Sequence, residues 1–485
     1  MAADLSHSRR MLVLATCCMS LFIVGLDVTV VNVALPSIQH DLHASVSGLQ
    51  WVVASYSLVI ASLLMLAGST ADRVGRRRTF QTGLGLFTIG SLLCSLAPSL
   101  GALVVFRTVQ AVGGSMLNPV AMSIITNTFT ERKERARAIG IWGGVVGLSM
   151  ALGPVVGGVL VSAIGWRSIF WVNIPVGIAA IILTAIFVPE SKAPRARRFD
   201  PIGQLLVMIT LGTLVFGIIE GPERGWTSPE IIACFAVAAT TGSTFAWYEI
   251  RRHDALLDVR FFRSAPFAGA TVIAVSAFAG LGGFLLLNTL YLQDVRGYSA
   301  LHAGLFMLPM AAMTAVFSPL SGRIVGARGP RLPLIIAGIA ITVSAFSLTM
   351  LAADTSTLSL VASYLIFGLG FGLVNAPITN TAMAGMPRAQ AGVAAAVAST
   401  SRQVGSALGV AVIGSVVVSG LSGPIKTGFV SASHAGWWVL AGCGLAVLTI
   451  GLVTTGSWAR HTAELVAAQF GHGDSDADTP IEPAA

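Results

Sequence analysis

Charged residues are scarce in this sequence. Asp, Glu, Lys and Arg account for 10% of the 485 residues, whereas hydrophobic side chains account for 54%. A soluble domain usually carries about 25% charged residues. This scarcity excludes an ordinary soluble protein and indicates a chain that lies largely inside a lipid bilayer.

Cysteine is rare as well, and motifs for bound groups are missing. The five cysteines stand in apolar segments, show no CxxC spacing and are odd in number, so they indicate neither a disulfide framework nor a metal site. The GxxxxGK[ST] loop that cradles nucleotide phosphates is absent from the sequence. We therefore predict a protein without catalytic residues, bound metal, cofactor or nucleotide.

Long polar segments are also missing, since no predicted loop before the C-terminal tail exceeds about 15 residues. A membrane-spanning helix needs about 20 mostly apolar residues. Fourteen segments meet this description, namely 11–36, 49–69, 79–98, 101–127, 137–162, 168–188, 201–220, 230–249, 267–291, 301–321, 331–352, 356–378, 391–419 and 435–457. The first follows a short basic start typical of a signal peptide, but its length and the lack of a convincing cleavage site favour a retained span.

Two polar stretches, 189–200 and 251–264, divide these segments into six, two and six. The predicted organisation is all-α and has four parts. They are an N-terminal six-helix bundle at 1–190, two additional transmembrane helices with linkers at 191–264, a C-terminal six-helix bundle at 265–460 and a disordered cytoplasmic tail at 461–485. The tail is predicted to be disordered because it is acidic and poor in apolar residues.

Lys and Arg are distributed unevenly between the loops. If an even number of spans places both termini on one side, 23 of the 29 basic residues lie on that side, four on the other and two within spans. Loops rich in Lys and Arg remain in the cytoplasm, so both termini are predicted to be cytoplasmic in the inner (plasma) membrane. The net charge of +8 therefore reflects topology, and we expect no nucleic-acid partner.

Two charged residues interrupt the apolar segments of the first bundle. Arg107 stands within 101–127 and Asp27 within 11–36. An arginine at mid-bilayer costs at least about 2.5–3.5 kcal/mol, so it should face the protein interior or a wet cavity and find a partner there. The two residues indicate a proton pathway, and a structural ion pair that only fixes helix packing is the alternative. Whether they meet is not visible in the sequence.

The first bundle contains four distinctive sequence patterns. They are LDVTVVNVALP at 26–36, GSTADRVGRRR at 68–78, RTVQAVGG at 107–114 and GPVVGG at 153–158. With these patterns and fourteen spans, the chain resembles the major facilitator superfamily, specifically its fourteen-span drug:proton antiporters, over about residues 10–460.

The resemblance implies a major facilitator fold, two six-helix bundles plus two extra central helices. It implies a monomeric exporter that works by alternating access. Its partners would be a small amphipathic drug, antibiotic or related metabolite, protons and the lipid bilayer. Asp27 and Arg107 would couple the proton gradient to transport. An uptake symporter for a small nutrient and a non-transport membrane enzyme or receptor are the alternatives.

The loop after the second span is predicted to form a cytoplasmic latch. Gly68 and Gly75 allow the two helix ends to approach and turn, and Asp72 can accept hydrogen bonds from arginine. The resemblance assigns Asp72, Arg73 and Arg76 to a contact that is made and broken during transport. In the alternative, the arginines only enforce topology and contact lipid headgroups.

The fifth span is rich in glycine. The small-xxx-small pairs that permit close helix contact are Gly143/Gly147 and Gly153/Gly157. Pro154 is predicted to kink the helix. By resemblance to exporters, Gly153, Pro154, Gly157 and Gly158 would pack the two halves together on the outer side and limit leak.

Two further ionisable residues are secondary candidates. Arg402 lies in the thirteenth span near one end, and snorkelling of its side chain to the membrane surface is the alternative to a buried role. Glu220 ends the seventh span and is interpreted as an interfacial residue.

Overall fold

The computed structural model describes residues 6–193, 200–252, 259–384 and 391–475, and every regular element in these ranges is helical. The first half of the chain forms α1 His7–Leu42, α2 Val46–Val74, α3 Arg76–Ser95, α4 Leu100–Thr128, α5 Arg132–Ala163, α6 Ser168–Trp171 and α7 Asn173–Phe187. The middle pair is α8 Pro201–Arg224 and α9 Pro229–Ile250. The second half forms α10 Ala265–Leu290, α11 Ala300–Phe306, α12 Leu308–Arg328, α13 Arg331–Leu348, α14 Thr357–Met383, α15 Ala391–Gly420 and α16 Ile425–Thr454. Helix α17 Ser457–Ser475 follows the second half.

Thirteen helical segments in the described ranges are long and apolar enough to cross a membrane. The predicted span 79–98 is not among them, because α3 begins with the three arginines Arg76–Arg78. It is nevertheless a 20-residue helix that packs closely along α4. A Cβ on Gly83 would lie 3.1 Å from the carbonyl oxygen of Gly113, and one on Gly90 would lie 2.5 Å from Cα of Gln110.

Serine side chains fix where many helices begin. The Oγ atoms accept a hydrogen bond from the backbone N–H three residues later, which satisfies one of the free donors of the first turn. The residues that cap helices in this way include Ser45, Ser99, Ser228, Ser299 and Ser356. These five caps open α2, α4, α9, α11 and α14.

The helix ends define two faces of the bundle. On the face that holds the start of α1, Arg10 pairs with Glu134 at 2.6 Å; we call this the terminal face. On the opposite face, Asp41 accepts hydrogen bonds from Trp166 Nε1 at 2.8 Å and from Arg167 Nη1 at 2.6 Å. These contacts tie neighbouring helices of the first half together at both ends.

The tail prediction was wrong for its described part. We expected residues 461–485 to be disordered, but α17 continues to Ser475. Ala459, Ala463 and Val466 recur at helical spacing and are all buried, and Thr462 Oγ1 accepts a hydrogen bond from the backbone N–H of Ala265 at the start of α10. The helix is therefore held by an apolar stripe that the acidic residues nearby obscure. Residues 476–485 lie outside the described residues.

The two halves touch on the opposite face. Gln50 Nε2 on α2 donates to the carbonyl oxygens of Val410 and Ala411 on α15, at 2.9 Å each. On α5, a Cβ added to Gly158 would lie 2.6 Å from Cα of Leu301 on α11. The halves are therefore closed against each other at this face.

Toward the terminal face α5 separates from the second half. A Cβ on Gly147 would still lie 3.8 Å from Cα of Ala315 on α12, but one on Gly140, Gly143 or Gly144 would meet no neighbouring heavy atom of the described residues within 4 Å. The Gly143/Gly147 pair therefore makes a close helix contact only at its Gly147 end in this conformation. The structure is closed at the opposite face, and α5 has no close contact at Gly140, Gly143 or Gly144 with the described residues.

Candidate functional site

Asp27 and Arg107 form an ion pair inside the first half. Asp27 Oδ2 on α1 lies 2.5 Å from Arg107 Nη1 on α4. The two residues are 2% and 1% exposed, so neither charge is solvated by water in this conformation. Removal of two such charges from water costs several kcal/mol each, and only close pairing with additional hydrogen bonds offsets that cost.

Neutral amides complete the surroundings of the Asp27 carboxylate. Its Oδ1 accepts hydrogen bonds from Gln110 Nε2 at 2.8 Å and from Asn173 Nδ2 at 3.0 Å. Both amides also donate to Ser91 Oγ, at 2.8 Å and 3.2 Å. The cluster therefore joins α1, α3, α4 and α7, and all of these side chains are buried.

The Arg107 guanidinium has three further neighbours. Its Nη1 donates to Gln110 Oε1 at 2.7 Å, and its Nε donates to the carbonyl oxygen of Val52 at 3.3 Å. Its central carbon lies 4.1 Å from the centre of the Tyr56 ring, within the range of a cation–π interaction. Arg107 therefore links α2 to the cluster through Nε and through the face of its guanidinium group.

The geometry restricts where a proton can bind. Oδ1 of Asp27 already accepts two hydrogen bonds, whereas Oδ2 accepts one, from Arg107. A carboxylate oxygen has two acceptor positions, so Oδ2 has one left. A proton there would neutralise Asp27 and leave the buried Arg107 charge uncompensated, which is costly in a membrane interior.

Three members of the cluster escaped prediction from the sequence. Gln110 stands three positions after Arg107, on the same helical face, and that spacing could have identified it. Ser91 and Asn173 are single polar residues in apolar segments and carry no comparable signal. The cluster is thus larger than the predicted pair.

The predicted latch residues lie together on the terminal face. Arg76 Nη2 donates to Asp72 Oδ1 at 3.0 Å, and Gly75 turns the chain between α2 and α3 with φ +128°, a conformation that favours glycine. A Cβ on Gly68 would lie 4.0 Å from Pro119 on α4. Arg73 lies on the exposed side of α2.

Glu190, which sequence reasoning missed, completes this loop. Its carboxylate accepts hydrogen bonds from the backbone N–H groups of Arg77 at 3.1 Å and Arg78 at 3.3 Å. A carboxylate at a helix N-terminus satisfies free donors and complements the helix dipole. Glu190 therefore ties the segment after α7 to the start of α3.

The glycine-rich part of α5 faces two different partners. A Cβ on Gly153 would overlap Thr29 Oγ1, and one on Gly157 would lie 3.2 Å from Val30 Cα, so these two glycines admit α1. Gly158 faces the second half, as described above, and a Cβ on Gly304 of α11 would overlap the carbonyl of Pro154. Pro154 and Gly158 thus lie at the contact between the halves. The expected packing between the halves is wrong for Gly153 and Gly157, because these two glycines face α1 within the first half.

The secondary candidates stand apart from the cluster. Arg402 Nη2 donates to Thr379 Oγ1 at 2.5 Å, between α15 and α14. Glu220 accepts hydrogen bonds from Trp51 Nε1 at 2.8 Å and Arg224 Nε at 2.9 Å. Glu220 therefore links the middle pair to α2 at the opposite face.

Comparison with known proteins places the chain in a family. Residues 17–410 match the sequence model of the Major Facilitator Superfamily. The chain is 40% identical over 417 residues to the multidrug resistance protein Stp of Mycobacterium tuberculosis, covering 86% of this chain and 78% of that protein. It is 36% identical over 398 residues to the tetracenomycin C resistance and export protein of Streptomyces glaucescens, covering 82% and 74%.

Solved structures agree on the fold. The xylose transporter XylE from E. coli superposes with a TM-score of 0.64 at 15% identity, covering 93% of this chain and 98% of that one. A bacterial homolog of the human lysosomal transporter Spinster superposes with a TM-score of 0.63 at 18% identity, covering 99% and 100%. The chain is a multi-pass membrane protein that belongs to the Major Facilitator Superfamily.

Proposed function

We propose that this protein is a secondary active exporter that exchanges protons for small amphipathic drugs, antibiotics or related metabolites by alternating access. Support for export comes from relatives such as Stp and the tetracenomycin C export protein, which are named for drug resistance or export. Support for proton coupling comes from the cluster around Asp27.

The observation that carries the proposal is the burial of the Asp27–Arg107 pair. An ionisable residue inside a membrane is expensive and marks an ion or proton path by default. Asp27 contacts α3, α4 and α7 through its hydrogen-bond partners, and Arg107 adds α2. Protonation of Asp27 would therefore alter contacts that join five helices of the first half, and these altered contacts can change how the helices pack.

The orientation follows from the basic loops. We place the terminal face in the cytoplasm and the protein in the plasma membrane, because loops rich in Lys and Arg remain cytoplasmic. The described conformation is then closed toward the outside. In this conformation the path between the halves would open to the cytoplasm, which is where an exporter must collect its cargo.

The remaining parts have supporting roles in this proposal. The Asp72–Arg76 contact, with Gly68 and Arg73 beside it, is the cytoplasmic latch. Pro154 and Gly158 seal the outer side. Arg402 and Glu220 are secondary candidates for substrate or proton contacts. The protein acts as a monomer, and the proton gradient supplies the energy without a cofactor, metal, nucleotide or catalytic step.

A drug-susceptibility panel with the gene deleted and overexpressed tests the proposal and finds the cargo. We expect deletion to sensitise and overexpression to protect against the same apolar or cationic compounds. Ethidium efflux from whole cells should stop when an uncoupler collapses the proton gradient. Efflux that continues with the uncoupler would rule out proton coupling, and accumulation that rises with expression would indicate an importer.

A further inference from the structure

A second carboxylate lies between the two halves at the opposite face. A π-helical turn, Tyr291–Val295, follows α10, and Asp294 is one of its residues. This turn ends the helix. Asp294 lines an open polar cavity of about 360 Å³, whose walls come from the end of α1 and from residues 293–300.

Asp294 is half-buried, and one of its two carboxylate oxygens has no hydrogen-bond donor among the described residues. That oxygen, Oδ2, is buried. The described residues also form no ion pair with Asp294, although a charged carboxylate without a donor is costly to bury. The neighbouring Gln293 bridges the halves, because its Nε2 donates to the carbonyl oxygen of Val33 on α1 at 2.8 Å. Asp294 therefore sits next to a hydrogen bond that joins the two halves at this face.

Several titratable groups surround this position, and most are engaged elsewhere. Arg296 donates to the carbonyl oxygens of Ala353 and Thr355 and to Tyr298. Tyr291 donates a hydrogen bond to the carbonyl oxygen of Ala352, and His302 on α11 stacks on Tyr298. His434 on α16 is within hydrogen-bond distance of the carbonyl oxygen of Leu351, and Asp41 on α1 pairs with Arg167. Asp354 is exposed. His40 on α1 lines the same cavity and is exposed, so it is the group that a test must separate from Asp294.

We propose that Asp294 is a second proton-binding site, which takes a proton from the solution at the opposite face as the halves close and returns it to the same side when they open. The proposal rests on the alternating-access cycle proposed above. In the closed form no described residue donates a hydrogen bond to Oδ2, so a negative charge on that oxygen is unfavourable. In the open form water can solvate the carboxylate, so the charge is tolerated.

Proton binding at Asp294 would make closure of the opposite face depend on the pH of the solution at that face. By linkage, the closed-to-open ratio rises as the pH falls, by at most about tenfold per pH unit for one site. The proton at Asp294 is not carried across the membrane, which distinguishes it from the proton at Asp27. External acid would thus favour the conformation that collects cargo from the cytoplasm, without adding to the number of protons exchanged.

Distance measurements between spin labels can test this directly. Leu96 on the first half is 65% exposed and Leu358 on the second is 80% exposed, and both lie at the opposite face. They would be changed to cysteine for labelling in a full-length protein in nanodiscs, with the native cysteines replaced by alanine. Asp27→Asn would be included as background, so that the first proton site does not contribute, and spectra would be taken from pH 8 to pH 5.

In this background we expect the closed fraction to rise as the pH falls. Addition of Asp294→Asn should keep the closed fraction high at every pH. The closed-to-open ratio should then change by less than about twofold between pH 8 and pH 5. Asp354→Asn, the exposed control at the same face, and His40→Gln should both retain the response. A response that survives Asp294→Asn, or one that disappears with His40→Gln alone, overturns the proposal.

A second measurement concerns stoichiometry. Asp294→Asn with Asp27 intact should leave the number of protons exchanged per ethidium unchanged in proteoliposomes. A lower number would show that the Asp294 proton crosses the membrane, against the proposal. Because the distance measurement needs no transport, failure of the proton-exchange function and failure of the Asp294 site give different results.

Discussion

Arg107→Lys should impair transport almost as severely as Arg107→Ala. Arginine makes contacts with several parts of its planar group: Nη1 donates to Asp27 and Gln110, Nε donates to the carbonyl oxygen of Val52, and the plane lies on Tyr56. Lysine keeps the positive charge but presents one compact ammonium group, which cannot reproduce this fork. The substitution therefore separates the charge of Arg107 from its shape.

The expected size follows from the contacts. A hydrogen bond to a charged group contributes about 1.5–3 kcal/mol, and Lys must lose at least the bond to Val52. At 1.36 kcal/mol per factor of ten, that loss corresponds to a decrease in coupled transport of roughly 10- to 150-fold. Arg107→Ala leaves the buried Asp27 charge without its partner, which costs about 3–5 kcal/mol and should abolish measurable transport.

The assay is ethidium efflux at matched membrane expression. Arg167→Lys is the matched control, because Arg167 pairs with Asp41 at the exposed opposite face, where such pairs contribute little. We expect the control to transport at close to the wild-type rate. Full activity of Arg107→Lys would show that Arg107 supplies only a diffuse positive potential, and the argument from its hydrogen-bond geometry would be wrong.

Three other predictions follow from the same structure. Asp27→Asn should insert normally, judged by a fluorescent fusion, but lose coupled efflux, and wild-type efflux from this variant would remove Asp27 from the mechanism. Gly158→Ala forces a Cβ to within 2.6 Å of Leu301 Cα, so it should weaken closure of the opposite face and raise ethidium leak in proteoliposomes. Gly144→Ala, on the same helix and with no described heavy atom within 4 Å of the added Cβ, should not raise it. If one proton exchanges for one monovalent cation, no net charge moves, so cation export should survive valinomycin with potassium and stop with nigericin. Export abolished by valinomycin with potassium, while the pH gradient persists, would require a second proton carrier such as Glu220.

The central pair could be predicted because charge is so costly in the membrane. Arg107 and Asp27 interrupt long apolar segments, and each needs a partner there. The sequence could not show that they meet, since they are 80 positions apart and only the packing of α1 on α4 brings them together. The neutral members Ser91 and Asn173 were missed because single polar residues are common in such helices and carry no periodic signal.

Other features depend on the conformation or on local geometry. Gly143 and Gly153 both belong to small-xxx-small pairs in the sequence, yet Gly153 packs on Thr29 of α1 while Gly143 has no described neighbour. Asp294 was not singled out, since its significance comes from an unmatched oxygen in an interface and not from a motif. Helix α17 was not predicted because the sequence around it is acidic, although its buried residues recur at helical spacing.

Proton counterflow in proteoliposomes is the direct test of whether this protein exchanges protons for ethidium through the Asp27–Arg107 pair. Vesicles containing the purified protein, an internal pH-sensitive dye and internal ethidium are diluted into ethidium-free buffer of the same pH. We expect the lumen to acidify as ethidium leaves, and we expect Asp27→Asn to show no acidification above empty liposomes. Ethidium export by the wild-type protein without acidification, or undiminished acidification in Asp27→Asn, would contradict proton exchange through the buried Asp27–Arg107 pair.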